Sequence, residues 1–160
     1  MEKEIHICRI FLQGSNIEST SEDIDFHEET DYNIDTKLSC KTEWGYTSYD
    51  NKEAYNVSLS FEITANVKDY TLYTLSFRQS GIFILKGYEE EEIDEILLID
   101  CPHILMPYAR LHTSNLTAQT GFSPAIIQEI NFKEVYESRY HLSPKKNTMP
   151  VRTLNHNLTK

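Results

Sequence analysis

Ten consecutive residues, Tyr55 to Thr64, alternate without a fault: Tyr55, Val57, Leu59, Phe61 and Ile63 are apolar, and Asn56, Ser58, Ser60, Glu62 and Thr64 are polar. Only a strand uses a period of two, because its successive side chains point to opposite faces. The apolar row then has to be covered while the polar row meets water, as in an antiparallel sheet with one packed face. A second alternation, Ile34, Thr36, Leu38, Cys40, Thr42 and Trp44, precedes it, and the intervening G-Y-T-S-Y-D-N-K has the composition of a hairpin loop. Ile5 to Leu12 carries apolar residues on both sides, Ile5, Ile7 and Phe11 against Cys8, Ile10 and Leu12, and reads as a first strand covered on both faces. After a Lys68-Asp69 turn, Tyr73, Leu75 and Phe77 line a fourth strand that continues past Gly81 into Ile82 to Leu85. Gln13 to Asn33 is polar and acidic, with sparse apolar points at Ile17, Ile24, Phe26 and Tyr32, and reads as a long connection.

The period changes after the fourth strand. Glu89 to Ile99 places Ile93, Ile96 and Leu97 on a helical stripe behind four consecutive glutamates, which favour a helix N-terminus through its dipole. Pro102 suits the first turn of a longer helix from about Cys101 to Gln119, ending at Gly121; Pro107 removes a hydrogen bond inside it and predicts a kink. Asn131-x-x-Glu134 resembles a capping box opening a last helix to about Leu142, before Pro144. Strands followed by helices predict an α+β fold: a four-stranded antiparallel sheet with a long kinked helix and a C-terminal helix on one face. One domain is expected over residues 1–142, with 143–160 a flexible basic tail.

Composition excludes several classes. All 25 acidic residues and 11 of the 15 Lys and Arg residues lie in residues 1–140, whereas 141–160 holds four bases and no acid. A body of that charge repels nucleic acid. No 18-residue apolar run and no basic, then apolar, leader at the start argue for a cytoplasmic protein without membrane insertion, and three widely spaced cysteines fit a reducing compartment. Cys101-x-His103 lacks the further ligands of a zinc site, and Glu89 to Glu92 point in different directions on a helix, so no metal is expected. Neither a P-loop, G-x-S-x-G, G-x-G-x-x-G nor H-E-x-x-H is present, and the six histidines are scattered. No catalytic residue and no cofactor is assigned; the residues describe a binding protein, with an oligomeric scaffold or an enzyme with an unrecognised site as further alternatives.

The order of short motifs resembles the SecB family, the tetrameric chaperones that hold unfolded proteins for export. The motifs are Arg9-Ile10-Phe11, Ile63-Thr64-Ala65, Gly81-Ile82-Phe83, Cys101-Pro102, Pro107-Tyr108-Ala109-Arg110, Gly121-Phe122 and Asn131-Phe132, and the similarity spans about residues 5–142. It implies a protomer that pairs through its first strand and assembles as a dimer of dimers, a homotetramer with the long helices between the sheets. Ile104, Leu105, Tyr108, Arg110 and Leu111 occupy much of one helix circumference, more than a single sheet face requires, and are assigned to that subunit interface.

The resemblance also implies long apolar grooves for non-native client polypeptides, walled by the connection after the first strand and by the last helix. Here those walls fall on Phe26 and Tyr32, and on Phe132, Val135, Tyr136 and Tyr140. The bland alternative for Val135 and Tyr136 is ordinary core. Export-type members dock on the translocation ATPase SecA through acidic sheet positions and an acidic tail. The matching sheet positions here are Gly14, Glu18, Thr74 and Ser76, so only Glu18 keeps the charge, and the tail is basic. Two functions therefore stand side by side: a general holdase that delivers clients for export, with SecA as partner, and a SecB-like chaperone dedicated to the antitoxin of a toxin–antitoxin pair.

Overall fold

The computed structural model describes residues 1–20, 34–142 and 152–159, without the side chains of 139–142 and 152–159. Its strands are β1 (Glu4–Ser19), β2 (Asp35–Tyr49), β3 (Lys52–Val67), β4 (Tyr70–Lys86) and β5 (Arg152–Thr159), and its helices are α1 (Glu90–Glu95), α2 (Cys101–Ala118) and α3 (Phe132–Leu142). All pairings are antiparallel, in the order β1-β4-β3-β2-β5. The predicted four-stranded sheet and two principal helices are thus present, extended at one edge by β5.

The β2–β3 hairpin turns on two residues rather than on the eight-residue loop suggested by composition. Asp50 and Asn51 both take positive φ, 51° and 58°, in a two-residue turn whose twist matches that of the flanking strands. Counting back from that turn pairs Tyr46 with Tyr55 and Trp44 with Val57, so β2 runs through Gly45–Tyr49. Register then puts Leu38, Cys40, Thr42 and Trp44 on the same face as Val57, Leu59, Phe61 and Ile63, all of them buried.

β1 corrects the sequence reading in two ways. It extends to Ser19, because β4 supplies partners for the polar stretch: Ser15 faces Phe77, Ile17 faces Leu75 and Glu18 faces Thr74. Register shifts between Ile7 and Arg9 and between Leu12 and Gly14 break its period of two, so that Ile5, Ile10, Leu12 and Ile17 pack on the core while Ile7 is left 44% exposed. β1 is an edge strand half-covered along its length, not a strand buried on both faces. Gln79 of β4 ties it down from within, its Nε2 donating to the Phe11 carbonyl at 3.1 Å.

The tail also departs from expectation. Residues 152–159, read from sequence as part of a flexible tail, pair with β2 from Lys37 opposite Thr159 to Trp44 opposite Arg152. The physical reason is the open row of backbone donors and acceptors that β2 would otherwise present as an edge.

The first helical stretch is uninterrupted from α1 through α2, with a change of pitch between them. A π-helical segment, Ile96–Asp100, joins α1 to α2, and Glu95, Asp100 and Cys101 all have right-handed helical dihedrals. The wider turn falls immediately before Pro102, whose missing N–H has no bond to lose there. Leu97, Leu98, Cys101, Leu105, Met106 and Ala109 face the sheet and are buried. Gly81 of β4 lies under Leu105, where an added Cβ would come within 3.0 Å of Leu105 Cδ2 and of the Phe83 ring. α1 is held from two strands: Glu92 pairs with Lys3 just before β1, and Trp44 Nε1 of β2 donates to Asp94 Oδ1 at 3.0 Å.

Candidate functional site: an apolar helix rim and an open helix face

α3 is positioned by the chain that returns from α2. The buried Thr117 hydroxyl donates to the Thr113 carbonyl at 2.7 Å and accepts the Ala125 N–H at 2.8 Å, which fixes the return just after Gly121, where φ is 84°. Ile127 and Ile130 then enter the core, and Asn131 caps the helix, its side-chain oxygen accepting the Glu134 N–H at 3.2 Å.

Along α3 the apolar residues divide by depth. Phe132 is only 2% exposed and its ring meets His103 edge-on at 5.2 Å. It is a core anchor, which corrects its assignment as a groove wall: the first residue after the cap is the one pressed against α2. Val135 and Tyr136, three and four residues on, lie on the same side of the helix, half-buried at the rim of the core. The Tyr140 side chain, and all of Phe26 and Tyr32, lie outside the described residues. Of the six expected wall residues, the structure therefore places two at a rim and one in the core.

The face of α2 turned away from the sheet carries exposed apolar residues. Tyr108 and Leu111 are 45% and 58% exposed, with Ile104 half-buried one turn earlier. Arg110 beside them keeps its Nε buried with no hydrogen-bond partner among the described residues. Leu105 departs from the expected interface set: it is fully buried in the protomer's own core, because the residue one position on from Ile104 rotates by about 100° toward the sheet.

The open face of the sheet is polar and of mixed sign. Glu18 lies opposite Thr74, and Gly14 opposite Arg78. Glu43 pairs with Arg78 at 3.0 Å and with Lys41 at 2.7 Å. Beneath this surface Ser58 donates to Ser80 at 2.8 Å and Ser80 to Gln13 at 2.9 Å, a chain of hydroxyls joining β3, β4 and β1.

One feature escaped the sequence reading. Trp44, Tyr46 and Tyr55 form an aromatic cluster at the hairpin end with centroids 5.4–5.9 Å apart, Trp44 meeting both tyrosines edge-on, and Tyr46 is 60% exposed. The signal was available in the Asp50-Asn51 turn, since placing it fixes Tyr46 opposite Tyr55. Burial, with the carboxylates of Glu53 and Glu90 nearby, raises the Tyr55 hydroxyl above its ordinary value.

These surfaces offer area and aromatic contact, and with the sheet and helix layers they define an α+β binding scaffold. The chain belongs to the SecB family. The family model described as preprotein translocase subunit SecB matches residues 1–142. Two proteins named protein-export protein SecB, from Burkholderia vietnamiensis and Burkholderia multivorans, are each 30% identical over 134 residues, covering 84% of this chain and 81% of theirs. Among solved structures, a SecB-like chaperone of Mycobacterium tuberculosis in complex with a peptide from the HigA1 antitoxin superposes with a TM-score of 0.58 at 16% identity, covering 79% of this chain and 90% of that one. At that identity the superposition speaks for the fold.

Proposed function

We propose that the protein is a SecB-type holdase that binds non-native polypeptides through apolar contact and keeps them unfolded for export. The observation that carries the reading is the family match over residues 1–142, joined to an α3 rim whose Val135 and Tyr136 sit at the surface of the core. Apolar walls suit the task, because they accept many side chains without requiring a sequence. Burying one anchor side chain contributes about 1.5–3 kcal/mol, roughly 10- to 150-fold in affinity, and several weak contacts along one client add by avidity. Tyr32→Ser combined with Tyr140→Ser is expected to weaken binding of an unfolded polypeptide by at least about tenfold. Unchanged binding in a folded assembly sinks the groove assignment.

The assembly we propose is a cytoplasmic homotetramer. Its support is the exposed α2 face of Tyr108 and Leu111, the Arg110 Nε that finds no partner among the described residues, and the three free cysteines. No helix among the described residues is long and apolar enough to cross a membrane. Tyr108→Ser with Leu111→Ser is expected to lower the mass seen by light scattering; an unaltered mass removes this face from the interface.

A second reading, a chaperone dedicated to one antitoxin, is favoured by the open sheet face. There Arg78 and Lys41 accompany Glu43, and Glu18 alone represents the acidic docking positions expected for SecA. Titration with SecA at low salt separates the two: measurable binding favours export, and its absence together with rescue of a neighbouring antitoxin favours the dedicated role.

A further inference from the structure

We infer that the β2 edge binds client segments and that β5 is its built-in occupant, so that the C-terminal strand and a client compete for β2; this rests on the holdase reading above. Two structural observations converge. β5 pairs with β2 over the whole stretch Lys37–Trp44, the edge left open by the order β1-β4-β3-β2. It also lies alongside α3, the helix whose Val135 and Tyr136 form the apolar rim. The tail thus runs along the strip between sheet edge and helix where an extended client would lie.

Its chemistry is that of a client as well. Arg152–Thr159 reads R-T-L-N-H-N-L-T, two leucines spaced among polar and basic residues with no acid. An extended segment of this kind adds to a sheet edge through its backbone, which any unfolded polypeptide supplies. Charge favours the chain's own tail as resident: residues 141–160 carry four bases and no acid, whereas residues 1–140 carry all 25 acids against 11 bases. Linkage to the same chain gives the strand a high local concentration, so a weak pairing suffices to cover the edge.

The consequence is a threshold. Clients able to displace β5 bind, and apparent affinity falls by the fraction of time the edge is free; an edge covered nine-tenths of the time lowers it about tenfold. The test uses the full chain with Leu154→Pro and Asn155→Pro together. Consecutive residues of a strand turn their N–H groups to opposite sides, so one of the two prolines removes a donor facing β2 whichever way the pairing runs. Hydrogen exchange of Lys37–Trp44 and the affinity for a reduced, carboxymethylated unfolded polypeptide are measured on both proteins. The inference expects faster exchange on β2 and about tenfold tighter client binding in the variant, both reversed by adding a synthetic peptide of residues 152–159. Unchanged exchange, or faster exchange with unchanged affinity, overturns it. Protection that falls on dilution assigns the strand to a second copy and overturns occupation in cis. If neither protein binds the client, the holdase reading fails, and competition with it, while exchange still decides whether β5 covers the edge.

Discussion

Gly81→Ala sets two known effects against each other at one position. Gly81 has no positive φ, so the backbone tolerates alanine, and the loss of unfolded-state freedom alone would stabilise by about 0.4–1 kcal/mol. The new methyl, however, would lie 2.7 Å from Phe83 Cε2, 2.9 Å from Phe83 Cζ and 2.9 Å from Leu105 Cδ2. The leucine tip can rotate away. The Phe83 ring is fully buried between sheet and helix and cannot, so overpacking of about 1–3 kcal/mol is the larger quantity. The net expectation is destabilisation by about 1–2 kcal/mol, a fall in Tm of roughly 2–8 °C for a chain of this size. Urea unfolding at fixed protomer concentration measures it, since assembly makes stability depend on concentration. Phe83→Leu removes the two offending ring atoms, so the double variant should cost less than the two single changes together by about 0.5 kcal/mol or more. A Gly81→Ala protein as stable as the parent, or strict additivity with Phe83→Leu, would refute the packing of α2 on β4 described above.

Three further outcomes are expected. Thr117→Val keeps the shape of the side chain but strands the Ala125 N–H, and should cost about 1–3 kcal/mol by the same urea assay, with α3 exchanging faster than the sheet. Burial pushes the Cys40 thiol up to about 12 and raises that of Cys101 as well; an alkylating reagent at pH 8 should therefore modify Cys8 in the native protein, and the other two only in urea. The hydrogen bond from Lys3, with a backbone donor at Glu89, holds the Glu92 carboxyl below the ordinary carboxylate value, and the same bond raises Lys3. Its small contribution is present above the unfolded carboxylate pKa and lost as pH falls through the depressed folded one; an NMR titration should show the Glu92 midpoint rise in Lys3→Ala.

Much of the architecture was legible because it depends on local periodicity. The Tyr55–Thr64 alternation located β3 and its buried face, the glutamate run located the start of α1, and Asn131-x-x-Glu134 located the cap of α3. The second half of β1 was illegible, since Ser15 to Ser19 has little intrinsic preference for a strand and takes that form only because β4 pairs with it. Among the site residues, helical spacing grouped Phe132, Val135 and Tyr136 on one face but carried no depth, and depth separates an anchor from a rim. Leu105 failed for the same reason: an apolar residue on a helix is equally suited to its own core or a partner's.

By itself, then, the sequence determined the α+β class, the family and the helix and strand faces, because side-chain period and turn chemistry act over a few residues. Tertiary structure alone decided that Phe132 and Leu105 belong to the protomer's interior, that Tyr108 and Leu111 remain outside it, and that Arg152–Thr159 finishes the sheet. Those outcomes are settled by which surfaces meet across the fold and by the backbone groups an edge strand leaves open, neither of which is written in any local pattern.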